Sequence, residues 1–108
     1  MILIIGGAYQ GKADFARSLG IAEDKILYNA HDEIKQLMRD GKDAVIEFDA
    51  ILRGIEIVTC DEIGMGVVPI DEFECQWRET TGRIMCWLAK DADIVYRVVC
   101  SIPTRIKG

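Results

Sequence analysis

The sequence predicts an α/β fold on a mainly parallel sheet, and three observations carry that expectation. Short runs rich in isoleucine and valine alternate with stretches whose apolar residues recur three and four apart, the pattern of βαβ units with right-handed crossovers. The first and last of these runs, residues 2–5 and 94–100, are almost continuously apolar, as strands are when both faces of a parallel sheet are covered. The first run passes directly into a glycine-containing loop that opens a helix, the order of elements in a P-loop NTPase fold.

In chain order, residues 2–5, 25–28, 55–60 and 94–100 read as strands. Arg97 interrupts the last, which is therefore expected near a sheet edge. Four helical stretches lie between them. Residues 11–19 place Phe15 and Leu19 four apart and stop at Gly20, a residue suited to the left-handed position after a helix. Residues 32–40 put Ile34, Leu37 and Met38 on one stripe and stop at Gly41. Asp43 is placed to cap a helix that carries Val45, Phe48 and Leu52 and runs out at Gly54. The longest helix begins after Pro69, where Asp71 and Glu74 form an approximate capping box. Its stripe is Phe73, Trp77, Ile84 and Leu88, before Asp91. Trp77 lies on that stripe and Trp87 beside it, so both tryptophans are expected in core or subunit-interface packing.

A chain of 108 residues, half of them apolar, suits a single domain over 1–108. Its longest apolar runs are four or five residues, too short for a membrane span. The amino-terminal run reaches glycine after five residues with no basic stretch before it, unlike a secretory signal. The net charge is −5 with both signs interspersed, so the basic footprint of a nucleic-acid binder is missing. The four cysteines contain no C-x-x-C pair, and the single histidine, His31, cannot complete a zinc set. Cys75 and Cys86, eleven residues apart on one helix, stand about 16 Å apart at the helical rise, outside disulfide reach. Reduced, mostly buried thiols in a cytoplasmic protein are the expectation.

Gly6-Gly7-Ala8-Tyr9-Gln10-Gly11-Lys12 reads G-x-x-x-x-G-K. Glycines let such a loop curl into a nest of N–H groups that converge on phosphate oxygens. Lys12 adds a mobile charge for the β- and γ-phosphates. Residues Gly6 to Ala13 are thus the candidate nucleotide site, for ATP or GTP. A complete motif has Ser or Thr after the lysine, whose hydroxyl helps hold Mg²⁺; here Ala13 weakens any metal site. Asp61 and Glu62 follow the third strand. Beside the phosphate loop they would hold Mg²⁺ or accept a proton from an attacking hydroxyl, and the plain alternative is a solvated acidic turn. His31, at the start of the second helix, is most simply a surface histidine.

Three stretches together resemble the adenosylcobinamide kinase/adenosylcobinamide-phosphate guanylyltransferase family of cobalamin biosynthesis. They are the opening I-L-I-I-G-G-A-x-x-G-K, the segment D-E-I-G-M-G-V-V-P, and a tail holding Trp77-Arg78-Glu79-Thr80-Thr81-Gly82-Arg83-Ile84, Ala92-Asp93 and Ser101-Ile102-Pro103. The resemblance implies a RecA-like, three-layer P-loop fold, a homo-oligomer (often a trimer), and nucleotide and corrinoid ligands. It implies phosphorylation of the aminopropanol hydroxyl of adenosylcobinamide, then GMP transfer through a guanylylated histidine. By position, Gly6, Gly11 and Lys12 match the family's phosphate loop, and Glu62, Gly64, Met65 and Gly66 its glutamate-glycine turn. Ala13 stands where the family has a hydroxyl residue and Asp61 where it has asparagine. The middle of the chain is much shorter than the family's and lacks its histidine-bearing stretch, and His31 lies too early to match that histidine.

The expected activity is therefore the kinase half, with Lys12, Asp61 and Glu62 as its catalytic residues. A non-catalytic nucleotide-binding module is the alternative, favoured by Ala13 and the missing middle.

Overall fold

The structure is a computed structural model that describes residues 1–63 and 71–108. The elements run β1 (Ile2–Gly6), α1 (Lys12–Ser18), a 3₁₀ turn (Glu23–Lys25), β2 (Ile26–Leu27), α2 (Ala30–Arg39) and α3 (Ala44–Ile51). They continue with β3 (Ile57–Asp61), α4 (Glu72–Asp91), β4 (Ile94–Val99) and β5 (Ile102–Lys107). The five strands form one sheet in the order β2-β3-β1-β4-β5; all neighbours are parallel except the β4–β5 pair. The fold is α/β with a mostly parallel sheet, as the alternation of strand and helix patterns predicts.

Alternating strand residues feed two apolar clusters. Leu3, Val58, Cys60 and Val95 pack with Ala30, Ile34, Phe48, Ile84 and Leu88 of α2, α3 and α4. Ile4, Ile57 and Val98 pack with Ala16 of α1, flanked by Phe15 and Leu19. Both faces of the central strands are therefore covered, and this is why their sequences are nearly continuous apolar runs.

The helix ends follow their signals. Gly20, Gly41 and Gly54 all take positive φ, 77°, 73° and 79°. The Asp43 carboxylate accepts from the Val45 and Ile46 amides, and that of Asp71 from the Phe73 amide. Glu74 reaches Lys35 at 2.8 Å and so ties α4 to α2.

Four expectations need correction. A fifth strand follows the fourth, where the sequence suggested only four, so β4 lies one strand in from the edge; the Arg97 guanidinium is held by Glu62. Lys25 belongs to the 3₁₀ turn and Tyr28 lies beyond the strand, which leaves β2 only two residues. Helix α1 has seven residues, shorter than the pattern over 11–19 suggested. Only Cys60 is buried; Cys75 and Cys86 lie off the buried stripe of α4 (Thr81, Ile84, Leu88), and Cys100 sits exposed in the β4–β5 turn. Among the described residues no helix is long and apolar enough to cross a membrane. Gly64, Met65, Gly66 and Pro69, singled out in the sequence, lie outside the described residues.

Candidate phosphate-binding site

The site grows from the register of β1 and β3. Gly6 pairs with Asp61 across the parallel ladder, so the loop leaves β1 beside the last residue of β3. Gly6 must lack a side chain, because a Cβ there would run into the Val98 carbonyl of β4. The loop then turns through Tyr9 (φ 60°) and Gly11 (φ 91°), both left-handed, and enters α1 at Lys12. Tyr9 is bulky for that region, and its ring is wholly exposed (102%) on the rim of the site.

Lys12 turns inward and is only 6% exposed. Its ammonium donates to the Gly7 carbonyl at 2.5 Å and pairs with Asp61 Oδ1 at 2.8 Å. A buried ammonium is costly without such partners. The second Asp61 oxygen lies 3.3 Å from His31 Nε2.

His31 is 7% exposed and accepts the Asp61 amide N–H on Nδ1 at 3.0 Å. The lone pair of Nδ1 is thereby used, so the hydrogen-bond network assigns the remaining proton to Nε2, the nitrogen facing the carboxylate. Trp77 Nε1 donates to the His31 carbonyl at 2.8 Å, and Lys35 stands 4.2 Å over the Trp77 ring. Trp77 thus braces the start of α2. Asn29, left-handed at the cap of α2, donates its amide to the Thr59 hydroxyl at 2.9 Å.

These groups surround a cavity of about 450 Å³. Residues 8–14 of the loop and first helical turn form one wall; Asn29, His31, Asp32, Thr59 and Asp61 form the other. Ala13 lines it without a hydroxyl.

Successive strand residues point to opposite faces, and Asp61 and Glu62 have different partners. Arg97 grips Glu62 with two bonds, 2.8 and 3.0 Å, so this carboxylate is occupied away from Lys12. Glu62 lines a smaller cavity of about 230 Å³ with Ile5, Ile63, Gly82, Met85 and the buried Thr81, and Asp61 borders both cavities. The Thr81 hydroxyl has no hydrogen-bond partner among the described residues.

The residues do not fit a protein-held Mg²⁺ as they stand. Asp61 is engaged by Lys12 and His31, Glu62 by Arg97, and Ala13 offers no oxygen. Among the described residues no group of three or more His, Cys, Asp or Glu side chains is arranged to hold an ion.

Cys60, between Thr59 and Asp61, points away from the cavity into the core. Burial pushes its thiol up to about 12. It is an inert core residue, not a nucleophile.

Sequence reasoning singled out the loop, Lys12 and, on the far wall, Asp61, but it missed Asn29, Asp32 and Thr59 and took His31 for a surface residue, which its 7% exposure corrects. Two signals for the far wall were present. Thr59 lies two residues before Asp61 and must share its face, and His31 follows the second strand at the carboxyl edge of the sheet.

The family model for cobinamide kinase / cobinamide phosphate guanyltransferase matches residues 25–106, from the 3₁₀ turn before β2 into β5. No curated protein matches the chain. The matched span holds His31, Thr59, Asp61, Glu62 and the tail segment from Trp77, and it begins beyond the loop over residues 6–12. The chain belongs to the cobinamide kinase / cobinamide phosphate guanyltransferase family.

Proposed function

We propose that this chain is a single RecA-like P-loop domain that binds ATP or GTP through Gly6–Lys12 and acts in the kinase half of the family's chemistry. The observation that carries the reading is the Lys12 ammonium, buried against Gly7 and Asp61 on the wall of a cavity formed by the loop. A triphosphate entering the loop offers Lys12 oxygens of higher charge, and the ammonium exchanges its pairing with Asp61 for the terminal phosphates. Asp61 is then released to accept the proton of an attacking hydroxyl. The hydroxyl oxygen bonds to the γ-phosphorus, the bond to the bridging oxygen breaks, and the nucleoside diphosphate leaves. His31 Nε2–H, on the same wall, donates to developing charge on the transferred group. The smaller cavity, which shares Asp61, suits the hydroxyl-bearing arm of a corrinoid acceptor.

His31 is not proposed as a guanylylated nucleophile. Nδ1 accepts from the Asp61 amide and Nε2 carries the proton, so neither nitrogen presents a free lone pair. Ala13 and the occupied carboxylates favour a second reading, a nucleotide-binding module without catalysis.

Incubation with cobinamide and γ-labelled ATP or GTP separates the two. The kinase reading expects labelled corrinoid phosphate and no acid-labile label on the protein after α-labelled GTP. Bound nucleotide with no transfer supports the module, and acid-labile label on His31 contradicts the reading of His31 as a group that is not guanylylated.

A further inference from the structure

The turn between β4 and β5 is built in a way that the hairpin alone does not require. Cys100 and Ser101 form a two-residue connection, with Val99 and Ile102 paired across it. Both turn residues are left-handed, at φ 50° and 64°. Turns with two such residues match the twist of a hairpin, and Asn-Gly or Asp-Gly normally fills them because other side chains are strained there. Cysteine and serine do not relieve that strain.

What the strained geometry achieves is the direction of two amides. The Cys100 N–H donates to Gln10 Oε1 at 2.6 Å, and the Ser101 N–H donates to the Gln10 carbonyl at 2.9 Å. The Gln10 amide nitrogen then faces the Ala8 carbonyl at 3.4 Å. Ser101 also packs on the next loop residue, since a Cβ on Gly11 would lie 2.8 Å from Ser101 Oγ. One turn, 90 residues away in sequence, thus touches the loop at Gln10 and Gly11 and, through the Gln10 side chain, at Ala8. Tyr9, between them, is left-handed and fully exposed, so packing of its own side chain does not hold the curve.

We infer that Gln10 is a positioning residue, a clamp that couples the β4–β5 turn to the phosphate loop and keeps the loop in its anion-binding curve before ligand arrives. The role rests on the reading of residues 6–13 as a triphosphate site. A loop held in place does not lose conformational freedom again on binding, so the clamp appears as affinity. Gln10→Met keeps the length of the side chain and removes the acceptor.

Two measurements on the intact chain test this, both at a temperature where wild type and variant are folded by circular dichroism. Amide hydrogen exchange by NMR reads the clamp without ligand. The Cys100 amide is expected to be protected in wild type and to exchange at least about tenfold faster in Gln10→Met, and equal exchange overturns the clamp. Calorimetry with inorganic triphosphate and with ATP reads its consequence. Both ligands are expected to bind Gln10→Met about five- to tenfold more weakly, the scale of one net hydrogen bond. A role confined to stability would leave affinity unchanged in the folded variant, so equal affinity overturns the positioning role. Wild type that binds neither ligand overturns the triphosphate reading and the positioning role with it, while the exchange result still decides whether the clamp exists.

Discussion

Ala13 is the position at which one atom decides the most. A hydroxyl there would supply an oxygen to Mg²⁺, and the two carboxylates at the end of β3 are engaged, Asp61 by Lys12 and His31 and Glu62 by Arg97. Ala13→Ser is expected to tighten Mg²⁺–nucleotide binding by about 1 kcal/mol, one net polar contact, and to leave metal-free nucleotide unchanged. Isothermal titration with and without Mg²⁺ measures both. Cys60 makes a prediction of a different kind. Burial pushes its thiol up to about 12, against 9.0 for an unperturbed one. The folded state therefore holds its proton more tightly, and the Cys60 contribution to stability is complete below pH 9 and is lost as pH rises from there toward 12. Urea unfolding from pH 8 to 10.5 is expected to show a steeper decline in wild type than in Cys60→Ala. Parallel slopes would show that the thiol is not desolvated.

At the scale of elements, what the sequence signalled depended on how local the signal was. Helix ends were legible, because a left-handed glycine or a capping aspartate acts within a few residues, as at Gly41 and Asp43. Asp43→Ala removes an acceptor shared by two amides of α3 and is expected to lower stability by about 1 kcal/mol in urea unfolding. An unchanged midpoint would show that Ala44 and Phe48, packed in the core, fix that helix without its cap. Strand β5 was not legible. All six of its residues are exposed, Pro103 interrupts it, and its Cys-Ser turn carries none of the usual turn residues. Strand β4 lies next to that edge strand, and its Arg97 is held by Glu62. The near wall of the site is contiguous in sequence and could be read; the far wall, from Asn29 to Asp32 and from Thr59 to Asp61, is assembled by sheet order.

At the scale of the whole molecule, the winding of the chain places the crevice. The crossover from β1 to β2 runs one way along the sheet over the α1 face. Those from β2 to β3 and from β3 to β4 run the other way over the face of α2, α3 and α4. A change of direction with a change of face keeps every crossover right-handed. It also leaves β1 at the point where the winding reverses, and ligands bind beyond the carboxyl ends of strands at such a point. The loop over residues 6–12, Asp61 and His31 all lie there, although the chain as a whole carries a net charge of −5. The proposed anion binding therefore rests on local groups, above all on Lys12. Calorimetric titration of ATP and GTP into wild type and Lys12→Ala, at a temperature where both are folded, tests this most directly. The account predicts saturable binding to wild type and a loss of about 1–3 kcal/mol in the variant, the range for a hydrogen bond to a charged group. No heat with either nucleotide in wild type, or equal affinity in the two proteins, would contradict it.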